Sequence, residues 1–178
     1  MALSRSHGIT RDAADFHDPD QGDWYYEQHS LGFNYRMTEL QAALGISQLA
    51  RLDAFLARRR ALAARYDRLL ADLPVIRPRC LPQADSAWHL YAITLRDPAW
   101  RRPVFDSLRA AGIGVQIHYI PVHLQPYFQA MGFRRGDFPQ AESYYARTLS
   151  LPLFPDLSET QQDRVVACLR QALSEAGA

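Results

Sequence analysis

The sequence contains no lysine, and all 20 of its lysine-or-arginine positions are arginine. A guanidinium stays protonated in proteins, so arginine can bind anions but cannot act as an amine nucleophile. A reaction that needs a lysine amine to form a Schiff base with a carbonyl group therefore cannot be completed by this chain alone.

Cysteine, long apolar runs and net charge are also scarce. Cys80 and Cys168 are the only cysteines and lie far apart in the sequence, so we expect two free thiols in a reducing cytoplasm. The sequence has no signal peptide and no run of about 18 apolar residues, so we expect a cytoplasmic protein without a membrane partner. A net charge of +1 gives no reason to expect nucleic acid. No metal-ligand spacing, glycine-rich phosphate loop or nucleophile elbow is present, and no metal is predicted.

The 178 residues, 48% hydrophobic and 22% charged, suit one globular domain or one domain with an appendage. The clearest helix signal begins at Thr38, which forms a capping-box pattern with Gln41. Apolar residues then recur at helical spacing, which predicts a helix over Thr38–Leu73 with a bend near Leu52–Asp53. Its first part has apolar residues on two sides, so we expect it to be buried on both.

The remaining chain is predicted to alternate short strands and helices after a polar, turn-rich start. Turns are expected at Asp18–Asp20 and Gln21–Asp23, followed by a short strand at Trp24–Gln28. The later predicted elements are an extended segment at Val75–Pro82, strands at Trp88–Arg96, Val115–Tyr119 and Leu149–Leu153, and helical segments at Arg101–Ala111, Gln125–Ala130, Pro139–Thr148 and Ser158–Glu175. Three strands with helices on one side predict an α+β fold with a small, mainly antiparallel sheet.

Three consecutive arginines, Arg58, Arg59 and Arg60, lie in the predicted long helix. They could bind phosphate. A solvated helix face is the commoner role for such a run, and we expect it here.

Five motifs occur in a characteristic order: HGITRD at 7–12, GFNYRMTELQAALGISQL at 32–49, WHLYAI at 88–93, GIGVQIHYIPVH at 112–123 and FPQAESYYARTLSLPLFP at 138–155. Together they resemble the C-terminal part of the DegT/DnrJ/StrS family, the nucleotide-sugar aminotransferases. Members of this family use pyridoxal 5'-phosphate (PLP), held as a Schiff base on a lysine. The resemblance implies transfer of an amino group from L-glutamate to a nucleotide-linked 4-keto-6-deoxy-hexosamine, as in biosynthesis of pseudaminic acid or surface polysaccharide.

The resemblance also implies an architecture, the small domain of the aspartate-aminotransferase fold (fold type I). Residues 1–37 would connect to a large domain absent from this sequence, and residues 38–178 would form the small domain. The helix over 38–73 would lie at the interdomain and dimer interface. Implied partners are a second copy or the large domain, with a UDP-sugar and L-glutamate as substrates. Since the Schiff-base lysine is absent, we expect no catalytic residue in this chain and no activity from it alone.

By the same resemblance, Asn34 would contact the PLP phosphate of the other subunit. Arg36 would bind the substrate or glutamate carboxylate, and His118 and Tyr119 would line the sugar-nucleotide pocket. Each has a plainer interpretation. Asn34 and Arg36 could serve only their own loop, His118 could be a half-buried strand histidine bonded to a neighbour, and Tyr119 could belong to the core.

Two other functions stay open on the sequence. The chain could be a non-catalytic dimerisation or docking module that partners a separate PLP-binding chain. It could also come from the family's dehydratase or regulatory branch, in which the lysine is replaced or repurposed.

Overall fold

The computed structural model describes residues 1–18 and 24–178, and the chain divides into two compact units, Met1–Arg51 and Leu52–Ala178. The turns predicted at Asp18–Asp20 and Gln21–Asp23 fall on residues 19–23, outside the described residues. Along the sequence, the boundary between the units follows Arg51, fourteen residues beyond the predicted boundary at residue 37. The assignment of residues 1–37 to a connecting segment stays a prediction.

The first unit contains little regular structure. Among its described residues, the elements are α1 (Ala2–Arg5), β1 (Ile9–Thr10), β2 (Glu27–Gln28) and α2 (Glu39–Leu49), with a 3-10 turn at Ala13–Asp15. Strands β1 and β2 pair in antiparallel fashion, with Thr10 opposite Glu27. The strand predicted from Trp24 is therefore shorter than expected, whereas the capping box of Thr38 and Gln41 at the start of α2 is confirmed.

The second unit holds the α+β fold that the sequence predicts. Its elements are α3 (Leu52–Leu69), β3 (Val75–Ile76), β4 (Tyr91–Leu95), α4 (Arg101–Ala110), α5 (Pro126–Gln129), α6 (Pro139–Arg147), β5 (Thr148–Leu151) and α7 (Glu159–Glu175). The sheet order is β3-β4-β5, and both pairings are antiparallel. Thr148, predicted to end a helix, instead begins β5, and Ser158 caps α7 with Gln161 as predicted.

The hydrophobic core lies between one face of this sheet and helices α3, α4 and α7. Alternate residues of β4 enter it, because successive strand side chains point to opposite faces. Ile93 of β4 is opposite Leu149 of β5, and both are fully buried. Leu108 and Leu169 cover them from α4 and α7, as the 3.6-residue period of these helices predicts.

The strand predicted at Val115–Tyr119 is wrong. The backbone of this segment pairs with the sheet through one antiparallel bridge, between Gln116 and Ser150, and the third strand of the sheet is β3 instead. Pro121 follows closely and has no backbone N–H to donate, so pairing along β5 cannot continue past it.

As one continuous helix, the prediction over Thr38–Leu73 is wrong, because α2 ends at Leu49 and α3 begins at Leu52. The break lies beside the bend that the sequence predicts near Leu52–Asp53. The amide of Arg51 donates to Gln48, a tighter bond than the helical one, and Asp53 stabilises a new helix start. No residue of α2 is buried in this chain, so burial on both sides is not observed either. No helix among the described residues is long and apolar enough to cross a membrane.

The arginine triplet is not a solvated face. Arg59 donates to the carbonyl oxygens of Trp88, His89 and Leu153. Its neighbours behave alike: Arg58 donates to the carbonyls of Pro155 and Leu157, and Arg60 to the carbonyl of Ser86 and the carboxylate of Asp85. All three side chains are half-buried, so they tie α3 to two loops.

Candidate functional site

One pair of candidate residues, Asn34 and Arg36, is held by two segments that are far apart in the sequence, residues 4–8 and residues 32–36. The amide of His7 donates to the carbonyl of Phe33 at 2.9 Å, and the amide of Tyr35 donates to the carbonyl of Arg5 at 2.9 Å. Ser6 and Asn34 form an antiparallel bridge between the two segments. Residues 5–7, which end at the first residue of the HGITRD motif, therefore fix the backbone that carries Asn34 and Arg36.

Two glycines permit this close approach. A Cβ on Gly32 would lie 2.4 Å from the backbone nitrogen of Gly8, well inside contact distance. Gly8 itself has φ of +71°, in the left-handed region, and a Cβ there would lie 1.9 Å from the carbonyl oxygen of Ser30. Any larger residue at either position would separate the two motifs.

Asn34 and Arg36 are brought together, and both are exposed. The Arg36 Nε donates to the Asn34 Oδ1 at 3.3 Å, which occupies the acceptor of the amide. The Asn34 NH₂ and the outer guanidinium nitrogens then remain as donors on neighbouring side chains. Amide and guanidinium N–H groups are the donors that phosphate and carboxylate oxygens accept best.

The helix start beside this pair is already satisfied in part. The amide of Gln41 donates to the Thr38 Oγ1 at 3.3 Å, and the amide of Thr38 donates to the Gln41 Oε1 at 3.0 Å. These two N–H groups are therefore not available to an anion. Anion binding here would depend on the side chains and on the positive end of the α2 dipole.

The other pair of candidate residues, His118 and Tyr119, lies in the unit Leu52–Ala178. The His118 Nδ1 is 2.9 Å from the Ser150 Oγ, and the imidazole is half-buried. The Tyr119 ring meets the imidazole edge to face at 4.6 Å and is 71% exposed. The interpretation of Tyr119 as a core residue is therefore wrong. The interpretation of His118 as a half-buried histidine bonded to a neighbour is confirmed, although His118 does not lie in a strand.

Other residues of the matched motifs stabilise the fold. Tyr91 is fully buried and donates from its hydroxyl to the Asp67 carboxylate at 2.6 Å. Burial raises the pKa of Tyr91 above its ordinary value. The His123 Nε2 is 2.8 Å from the Glu142 Oε1, which also accepts from the amide of Gly136. The hydrogen bond to His123 lowers the pKa of the Glu142 carboxyl.

Comparison with known proteins identifies the chain. The model of the DegT/DnrJ/EryC1/StrS aminotransferase family matches residues 1–170. The chain belongs to this family. Its relatives include the spore coat polysaccharide biosynthesis protein SpsC of Bacillus subtilis (strain 168), which is 38% identical over 176 residues, 96% of this chain and 45% of SpsC.

Solved structures of the family share the fold. Spr1654 from Streptococcus pneumoniae has a TM-score of 0.87 at 26% identity, over 98% of this chain and 44% of that one. Helicobacter pylori PseC, an aminotransferase involved in the biosynthesis of pseudoaminic acid, has a TM-score of 0.82 at 28% identity, over 98% of this chain and 45% of PseC. The α+β fold is thus the small domain of a fold type I aminotransferase, and the chain spans less than half the length of these relatives.

Proposed function

We propose that this chain forms the C-terminal part of a PLP-dependent sugar aminotransferase that takes the amino group of L-glutamate. The observation that carries the proposal is the hydrogen bond between Arg36 and Asn34, on a backbone that residues 4–7 hold in place. Two distant motifs are packed at glycine contacts to display one amide and one guanidinium, which is more than a loop needs to satisfy its own backbone.

The exposed donors fit the phosphate of PLP. The Asn34 NH₂ can donate to phosphate oxygens because the carbonyl of the same amide is held by Arg36. PLP would supply the electron-withdrawing ring on which amino groups are exchanged. This sequence has no lysine to hold it covalently, so that residue would come from another polypeptide segment.

The other three residues would position substrates. Arg36 would bind the carboxylate of L-glutamate through its planar fork. Tyr119, exposed beside the half-buried His118, would pack against the sugar nucleotide, and His118 would be oriented by Ser150. The substrate that we favour is a UDP-linked 4-keto-6-deoxy-N-acetylhexosamine, with the product UDP-4-amino-4,6-dideoxy-N-acetyl-β-L-altrosamine. The similarity to PseC supports this choice.

The test is to co-express the chain with a lysine-bearing large domain, such as that of SpsC. We expect PLP to co-purify and L-glutamate to aminate the keto sugar, and we expect the chain alone to do neither. Asn34→Asp keeps the side-chain size but places a negative charge at the phosphate, so PLP retention should fall about tenfold or more. Arg36→Gln should raise KM for L-glutamate about tenfold while PLP retention stays unchanged.

A second function, a non-catalytic dimerisation or docking module, is favoured by α2, whose apolar side chains are exposed. Leu40 is 85% exposed and Ile46 is 71% exposed. The same experiment separates the two proposals. Association with the large domain, with PLP retention and turnover indifferent to both substitutions, would favour the docking module. Turnover by the chain alone would contradict both.

A further inference from the structure

We propose that His17, Glu27 and His29 form a zinc site in the first unit. The three side chains offer two imidazole nitrogens and one carboxylate oxygen, and these atoms lie within 4.8 Å of one another. The site is separate from Asn34 and Arg36 in sequence and in role, and it does not depend on the aminotransferase proposal.

The Glu27 carboxylate is held in place through one oxygen, and its other oxygen is hydrogen-bonded to His29, a bond that a metal ion would replace. Its Oε1 accepts from the amides of His17 and Asp18 at 2.8 and 3.0 Å, and from the hydroxyl of Tyr25 at 3.1 Å. These bonds fix the orientation of the carboxylate group. A metal ligand held by such outer hydrogen bonds binds in one defined orientation.

Both imidazoles face the other oxygen. The Glu27 Oε2 is 2.7 Å from the His29 Nε2 and 3.9 Å from the His17 Nδ1. The two rings stack at 5.0 Å with an interplanar angle of 21°. The His17 Nδ1 is too far for a hydrogen bond to Oε2, but it is near enough to share a cation placed between the three groups.

Zinc binding requires a small rearrangement, in which the His29 Nε2 and the Glu27 Oε2 separate from 2.7 Å and the His17 Nδ1 moves in from 3.9 Å. Two ligands with bonds of about 2.1 Å to one Zn²⁺ lie at most about 4.2 Å apart, and closer to about 3.4 Å in a tetrahedron. The His17 side chain is 89% exposed, so it can move inward without losing packing. Two nitrogens and one carboxylate oxygen favour Zn²⁺ over Mg²⁺ or Ca²⁺, which prefer oxygen ligands.

The first measurement is a titration of the untagged chain with Zn²⁺ against a chromophoric chelator. Cys80→Ser and Cys168→Ser should be present in every sample, because free thiols also bind zinc. We expect one Zn²⁺ per chain. His17→Gln should weaken binding about tenfold or more, and His29→Gln should do the same. His89→Gln, an exposed histidine of the other unit, is the matched control and should change nothing.

His17→Gln is the decisive variant because its side chain is exposed and its loss leaves the backbone bonds of Glu27 in place. A circular dichroism spectrum equal to that of the parent would confirm that the variant folds. Nuclear magnetic resonance should show the imidazole signals of His17 and His29 shifting with added Zn²⁺. Equal zinc affinity in the parent and the His17 variant, or no shift of either imidazole, would overturn the proposal.

Discussion

The two units of this chain differ in where their apolar side chains lie. In the described residues, all 22 buried hydrophobic side chains belong to Leu52–Ala178. The unit Met1–Arg51 instead leaves its large apolar residues exposed, among them Leu31 at 93%, Trp24 at 79% and Leu44 at 62%. The second unit carries its own core, whereas the first is held by backbone hydrogen bonds and by polar side chains such as Glu27.

This difference bears on the candidate site. Asn34 and Arg36 lie in the unit without a core, and His118 and Tyr119 lie in the unit with one. The geometry of His118 is therefore set by the fold of its own unit. The loop that carries Asn34 and Arg36 would gain rigidity from a surface that covers α2, because exposed apolar patches of this kind mark interaction sites.

The largest difference in unfolding free energy should appear between truncation of a core side chain in the second unit and truncation of an exposed apolar side chain in the first. Leu169→Ala removes a fully buried side chain from α7 and should lower the free energy of unfolding by about 3 kcal/mol. Leu44→Ala removes an exposed side chain from α2 and should change it by less than about 0.5 kcal/mol. Urea unfolding at low protein concentration measures both. A large effect of Leu44→Ala there would show that α2 is covered within the chain.

The next largest effect concerns the arginine triplet. Arg59→Ala leaves the carbonyls of Trp88, His89 and Leu153 without their charged donor, and should cost about 2 kcal/mol of unfolding free energy. Arg59→Lys should recover only part of this loss, because an ammonium lacks the planar fork. The exposed Arg79→Ala is the control and should be neutral in the same urea experiment. Equal stabilities of the Arg59 and Arg79 variants would restore the interpretation of a solvated face.

The sequence predicts the second unit well because its signals are local. Helix caps, apolar periodicity and proline positions place α4, α6 and α7 within a few residues of their bounds, and the alternation around Tyr91 places β4. The failure at Val115–Tyr119 has a tertiary cause. Alternating apolar residues predict a strand, but the edge position that this segment would occupy offers only the bridge to Ser150 before Pro121.

Contacts between segments that are distant in the sequence could not be predicted from it. The carbonyl partners of Arg59 lie about 29 to 94 residues away in the sequence. The local sequence therefore predicts a solvent-exposed arginine, because it shows no partner for the charge. Glu27 and His29 share one side of an extended segment, a spacing that could have marked them as paired ligands. Their approach to His17 depends on the fold of the loop and carries no sequence signal.

The capping boxes of α2 and α7 allow the same comparison of the two units, with smaller expected changes in unfolding free energy. Ser158→Ala at α7 should cost about 1 kcal/mol of unfolding free energy, because the helix is part of the cooperative core. Thr38→Ala removes the same motif from α2 and should reduce helix content by circular dichroism without moving the main urea transition. A shift of that transition by Thr38→Ala equal to that of Ser158→Ala would show that the two units unfold together.

The smallest effect should appear as a change in pH dependence within the second unit. The Glu142 carboxylate has a pKa below its ordinary value of 4.5, first because of the hydrogen bond to His123 and then because of the amide of Gly136. Since the folded-state pKa is the lower one, this carboxylate stabilises the fold above pH 4.5. That stabilisation is lost as the pH falls through the folded-state pKa.

Glu142→Gln should therefore lower the melting temperature at pH 7, and its deficit relative to the parent should shrink below pH 4.5. The expected shift is modest because a glutamine oxygen can still accept from Gly136 and His123. Glu175→Gln, an exposed carboxylate near the end of α7, is the control and should follow the parent at every pH. A Glu142→Gln deficit that stays constant from pH 7 to acid would mean that lost packing, and not the charge of the carboxylate, accounts for it.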